Sequence, residues 1–206
     1  MSELPHVVVH VAVSLEGATT GFELDLARFY ALAQTWREDV TLVGADTILA
    51  QEAALATVPK PGPAENGPLL AVVDSCARVH SWRALRDAGH WSGVLALRAA
   101  STPKGAAESS ERLVVGAERV DLRAALAALA GRGASTVRVD SGGALTGALL
   151  AQGLLDEVSL LVHPVFAGHG GHHRWFGPSH PPARAFTLAG NETIGDLVWL
   201  RYRASG

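Results

Sequence analysis

A chain of 206 residues with 48% hydrophobic and 18% charged residues has material for one sizeable core or two small ones, which excludes a disordered tail or an acidic linker. Its 17 Lys and Arg against 20 Asp and Glu leave a formal net charge of −3, so there is no basic excess to grip a nucleic acid. The lone cysteine, Cys76, excludes an intrachain disulfide, fits a reducing cytoplasm and reads as a small apolar residue after a strand rather than a reactive thiol.

The first residues, MSELPHVVVHVAVS, lack a basic leader, and His6 and His10 interrupt the apolar run, so no signal peptide is expected. No stretch approaches the ~20 apolar residues of a membrane span. Residues 6–14 read instead as a strand buried on both faces, broken by Gly17 and Gly21. Leu24, Ala27, Phe29, Tyr30, Leu32 and Ala33 follow at helical spacing, with Asp25 placed to start the helix. A short strand over 40–43 stops at Gly44, a helix covers 46–56, and the Pro- and Gly-rich residues 59–68 form a loop.

Strands are then expected over 69–73, 94–97 and 113–115, with a polar loop from 101 to 110. A helix over 121–130 ends at Gly131 and Gly133, a strand covers 136–139, and a helix over 144–152 follows Gly142-Gly143. A strand over 158–162 closes at His163-Pro164, and two final strands, 185–188 and 197–202, suggest an antiparallel hairpin. Strands alternating with helices imply an α/β fold with a mostly parallel central sheet and helices on both faces. The loop at 59–68 is no domain boundary, since neither side of it holds a complete sheet, and one domain over 1–206 is expected.

Chemistry concentrates where strands run out into glycine turns. In VRVDSGGALTG a strand ends at Asp140, two glycines follow and a helix begins, so its first-turn N–H groups face whatever approaches. Without Cβ atoms there, a phosphate can come close to that backbone; the same spacing also serves a tight strand-to-helix turn. LVGADTIL places Thr47 one turn into a helix opening at Gly44, where capping is the competing reading. VVDSCAR sets Asp74, Ser75 and Arg78 after another strand, and VAVSLEG delivers Ser14 and Glu16 after the first. Open α/β sheets hold ligands at such carboxyl ends. His163, His169, His172, His173 and His180 crowd one Gly-rich segment without a carboxylate or cysteine, which reads as a solvated loop with no metal site.

Taken in order, VAVSLEG, LVGADTIL, VVDSCAR and VRVDSGGALTGALLAQGLLDEVSLLVHPVFAG resemble the riboflavin-biosynthesis pyrimidine reductases across nearly the whole chain. That resemblance implies a dihydrofolate-reductase-like fold, NADPH as hydride donor, a homodimer, and a phosphorylated ribosylamino-pyrimidine reduced at ribose C1′ to a ribitylamino product. It implies cofactor-phosphate contacts at Thr47, Gly142, Gly143, Ala144 and Leu145. Asp74, Ser75 and Arg78 fall on the adenosine-ribose side, with Arg78 favouring a 2′-phosphate. Ser14, Glu16 and Asp140 fall at the catalytic positions. The family's Ser-Leu-Asp-Gly-Lys is here Ser14-Leu15-Glu16-Gly17-Ala18, and its Glu-Gly-Gly is Asp140-Ser141-Gly142. Reduction of a dihydropterin or dihydrofolate, or nucleotide binding without catalysis, stand as alternatives.

Overall fold

Runs of β-branched and aliphatic residues, cut by Gly and Asp, become the strands of a computed structural model that describes residues 3–103, 111–171, 173–178 and 181–205. Its contacts group the chain into two units, each discontinuous in sequence: Met1–Pro5 with Glu38–Val137, and His6–Arg37 with Arg138–Gly206. No helix among the described residues is long and apolar enough to cross a membrane.

In the first unit, β2 (Val40–Gly44), β3 (Leu69–Val73), β4 (Gly93–Arg98) and β5 (Glu111–Val114) lie in the order β5-β4-β3-β2, every pairing parallel. Parallel neighbours need crossovers. Helix α2 (Ala45–Thr57) joins β2 to β3, and α3 (Trp82–Arg86) joins β3 to β4. Helix α4 (Leu122–Gly131), capped by the Asp121 carboxylate on the Ala124 N–H, leads to β6 (Thr136–Val139). Leu70, Val72, Val94 and Ala96 pack with Ile48, Val79, Trp82 and Leu85. Burial of each such Val or Leu side chain favours folding by about 1.5–3 kcal/mol. Helix α3 is absent from the sequence reading; its only periodic signal is Trp82 and Leu85, both buried, one turn apart behind Ser81.

The second unit pairs β1 (His6–Val13) in parallel with β7 (Glu157–Val162), and β7 with β9 (Leu197–Ala204) antiparallel; β8 (Phe186–Ile194) lies outside β9. The hairpin turns at Gly195-Asp196, so β8 continues through Gly190 and Asn191, where a connection was expected. A register shift between Leu188 and Gly190 absorbs the irregularity, and a Cβ at Gly190 would meet the Arg201 guanidinium at 2.9 Å. Helix α1 (Leu26–Ala33) starts on Asp25, whose carboxylate accepts from the Arg28 N–H, and α5 (Gly143–Ala151) follows β6.

A polar network crosses this second core. His10, 1% exposed, stacks on Phe29 with ring centres 4.4 Å apart. Its Nε2 lies 3.0 Å from the Phe29 carbonyl, which can only accept, so Nε2 carries the proton. Nδ1 therefore accepts from the Ser159 hydroxyl at 2.9 Å, and Ser159 Oγ accepts from Trp199 Nε1 at 2.8 Å. Every polar atom of the triad is matched with the imidazole neutral. Burial, joined by the nearby Arg138 charge and only partly opposed by the Phe29 carbonyl, lowers the His10 pKa to about 4.

Candidate active site

In the second unit, β1 runs out at Val13 into a turn closed by Ser14. Its buried hydroxyl accepts from the Ala18 N–H at 3.0 Å, and Gly17 takes φ +81°, a conformation most side chains resist. The turn presents Glu16 to the segment after β7. There the carboxylate Oε1 accepts from the Ala167 N–H at 2.6 Å and from the Gly168 N–H at 3.2 Å. The Ser14 hydroxyl holds the Glu16 carboxyl below its usual range, with help from the N–H groups of Glu16 itself, Ala167 and Gly168 and against partial desolvation. Glu16 thus clasps two loops. Leu15 N–H to Val165 O, at 3.0 Å, seals the same junction.

The His-rich segment folds back on this turn. Thr19 N–H donates to His173 O at 2.8 Å, the Thr20 hydroxyl to Gly170 O at 3.0 Å, and Arg174 Nη1 to Glu16 O at 2.9 Å. The solvated-loop expectation therefore needs correction where it includes His163. That residue is 6% exposed, its Nδ1 faces the Leu161 carbonyl at 3.2 Å, and Phe22 lies 5.1 Å from its ring. His172 and His180 lie outside the described residues.

The segment after β6 meets the same loop. Gly142 caps α5 with no side-chain hydrogen bond, and a Cβ placed on it would meet nothing within 4 Å. Gly143 is different: its Cβ would lie 2.4 Å from Gly177 Cα and 2.8 Å from Arg174 O. The glycine pair therefore divides into one residue open to a ligand and one required by backbone packing. Ala144 is exposed, whereas the Leu145 side chain is buried, so Leu145 can offer a ligand only its N–H.

Asp140, with 26% of its side chain exposed, stands 3.2 Å from Arg138 Nη1. The sequence reading places neither Arg138 nor Tyr30 at the site, and Tyr30 enters it only as a helix residue. Partial burial and then the Asp140 charge raise the Tyr30 hydroxyl pKa, which marks the phenol as a neighbour of this carboxylate. A helix start that can receive an anion, with an accessible carboxylate beside it, can hold a phosphate while polarising or protonating a nearby group.

The first unit has its own strand-end group. Gly44 caps α2 without a side-chain bond, and Thr47 sits in the first turn. The loop after β3 presents Arg78, whose Nη2 lies 2.8 Å from Asp46 Oδ1. Asp74 is buried: its carboxylate accepts from the N–H groups of Arg78 at 3.1 Å and Val79 at 2.9 Å, and pairs with Arg98 Nη1 at 2.7 Å. Burial pushes this carboxyl upward, but those donors outweigh it and hold the pKa below the usual range. Ser75 Oγ accepts from the Val120 N–H at 3.0 Å. Both side chains face the protein, and Arg78 extends outward. Arg98 has no signal in the sequence beyond a charge at the end of an apolar strand.

The family model described as the RibD C-terminal domain matches residues 5–200. A 2,5-diamino-6-ribosylamino-4(3H)-pyrimidinone 5′-phosphate reductase from Methanothermobacter thermautotrophicus is 31% identical over 176 residues, 80% of each chain. Among solved structures, a pyrimidine reductase-like protein from Corynebacterium diphtheriae superposes with a TM-score of 0.74 at 16% identity, covering 98% of this chain and 92% of its own. The dihydrofolate reductase of Enterococcus faecalis does so with a TM-score of 0.55 at 10% identity, covering 98% and 97%. These two show the fold, a dihydrofolate-reductase-like α/β architecture with a mostly parallel sheet and an antiparallel C-terminal hairpin.

Proposed function

Because the chain belongs to the RibD C-terminal domain family, we propose that it is an NADPH-dependent reductase of a ribosylamino-pyrimidine phosphate, the substrate class in the name of its archaeal relative. The observation that carries this is a family match over 5–200 combined with the N–H donors of the helix start at Gly142, which has no side-chain cap. These donors fit an anionic dinucleotide. In the first unit Thr47 and Arg78 are the proposed cofactor contacts, with Asp74 and Ser75 shaping the loop that carries Arg78. In the second they are Gly142 and the N–H groups of Gly143, Ala144 and Leu145.

A nicotinamide cofactor, when bound, supplies hydride, here for ribose C1′ of the substrate. The chain's own part is placement and charge. Asp140, fixed by Arg138, orients the ribosylamine or moves a proton at its nitrogen. Ser14 and Glu16 hold the neighbouring turn against the 167–168 backbone. The test is turnover of the ribosylamino-pyrimidine phosphate with NADPH and with NADH, and fluorescence titration of both cofactors. Arg78 predicts tighter NADPH binding, because a guanidinium pairs with a 2′-phosphate and gains little from a hydroxyl. Equal affinities would remove that role; NADPH binding without turnover on any pyrimidine or pterin would leave a nucleotide-binding protein.

The two glycines give a sharper probe. Gly142→Val should weaken NADPH binding about tenfold or more at nearly unchanged melting temperature, since φ −72° suits any residue and only a ligand would meet the side chain. Gly143→Ala should lower both, because its Cβ strikes the Gly177 backbone. Equal binding by the Gly142 variant and the parent would make that turn purely structural.

A cytoplasmic homodimer completes the reading. Strand β8 lies outermost in its unit with Leu188 52% exposed, a strand edge that a second copy can cover. Light scattering at micromolar concentration should return twice the 21.5 kDa chain mass; a monomer overturns it.

A further inference from the structure

Arg98 is a buried charge that the proposed chemistry does not use. It ends β4 with 2% of its side chain exposed, beyond the reach of any ligand. Nη1 bonds both the Asp74 carboxylate and the Asp74 carbonyl, each at 2.7 Å, and the guanidinium lies over Trp82, 5.3 Å from the ring centre. Taking two charges out of water is costly, and an apolar pair of the same volume often stabilises a fold as well or better. What such a pair can give a fold is register, by fixing one segment against another.

The surroundings supply that role. The carboxylate that Arg98 orients is the one receiving the N–H groups of Arg78 and Val79, so the guanidinium fixes where the 74–79 segment turns. Within it Ala77 takes φ +55°, an uncommon conformation for a residue with a side chain. The Thr102 hydroxyl donates to Ser75 O at 2.8 Å, and Val120 N–H holds Ser75 Oγ, so the segment is bonded from behind along its length. What it presents outward is the side chains of Cys76, Arg78 and His80.

We propose that Arg98 is a positioning residue for cofactor selectivity: paired with Asp74, it fixes the segment that aims Arg78 and thereby sets the preference for a 2′-phosphate over a 2′-hydroxyl. This rests on the reading of Arg78 given above. A guanidinium on a wandering loop discriminates poorly, because a bidentate contact requires direction as well as charge.

The experiment compares Arg98→Met and Arg98→Lys with the parent and with Arg78→Ala. Calorimetric Kd values for 2′,5′-ADP and 5′-AMP are measured on the full chain, with KM for NADPH and NADH and a melting curve for each. The parent should favour the 2′-phosphorylated nucleotide, and Arg78→Ala should abolish the preference. Arg98→Met should reduce it about tenfold, the scale of one charge-assisted hydrogen bond, with 5′-AMP affinity nearly unchanged. Arg98→Lys keeps the charge but loses the double contact and the stacking, and should fall between; it carries the test if the Met variant does not fold. A parent preference that persists in a folded Arg98 variant, whatever its melting temperature, overturns this proposal and leaves the Arg78 reading standing. A parent with no preference overturns both.

Discussion

Asp140→Asn is expected to cut turnover ~10²-fold or more while leaving NADPH affinity nearly unchanged, the scale of a positioned acid–base or charge-stabilising group. The carboxylate is accessible, stands at the end of β6 and is steadied by Arg138 at 3.2 Å, so the amide should keep its shape and lose only its charge. Glu16→Gln should behave differently. Its Oε1 already receives two backbone N–H groups, and an amide can still accept there only with its oxygen so turned, which leaves its NH₂ beside the Ser14 hydroxyl. The expected result is a lower melting temperature with a smaller loss of turnover. Steady-state kinetics and cofactor titration on both variants check this. Parent-like turnover by the Asn variant would remove Asp140 from the chemistry, and a larger loss in the Gln variant would move that role to Glu16.

The two carboxylates are equivalent in the sequence, where each follows a buried strand and precedes a glycine. Contacts with residues far along the chain separate them. Glu16 finds its partners 151 and 152 positions away, in a segment whose glycines and histidines carry no periodic signal. Gly142 and Gly143 are likewise alike until the 174–177 turn packs on one of them. By contrast β3 and β6 coincide with the sequence reading to the residue, because LLAVV is a short apolar run ended by Asp74 and TVRV a short β-branched run ended by Asp140. Helix α3 is too short for a 3.6-residue period to declare itself, and β8 runs through Gly190 and Asn191 because its partner strand supplies the hydrogen bonds that local propensity argues against. The sequence thus carries the elements and the strand ends, and tertiary packing decides which polar groups those ends leave for a ligand.

The His10 network should make stability fall as the solution is acidified, well before the carboxylates titrate. Its folded-state pKa of about 4 lies below the ordinary value of 6.5, so between the two the unfolded chain takes up a proton that the folded one refuses. The stabilisation is complete above about pH 6.5 and is lost as pH falls toward 4; over the full window it amounts to about 3 kcal/mol, and about 2 kcal/mol is gone by pH 5. His6 runs the other way. Its bond to Glu157, together with the charges of Asp156 and Glu157 and against some desolvation, raises its pKa, so its contribution is full below 6.5 and fades as pH rises through the raised value. Asp74 and Glu157, both held below their usual range, lose their contributions only at more acidic pH than a reading at about pH 5 samples. Denaturant titrations at about pH 7.5 and about pH 5 should therefore show the parent losing stability at constant slope, by at most roughly 2 kcal/mol because the opposite His6 contribution offsets part of the His10 loss. His10→Gln removes the titrating ring and should be less stable at the higher pH, because the bond to Ser159 and the stacking on Phe29 are disturbed, yet should not fall further at the lower pH. If the variant shows the same fall as the parent, the acid sensitivity belongs to other groups, and the matched His10–Ser159–Trp199 chain is a packing feature without a pH signature.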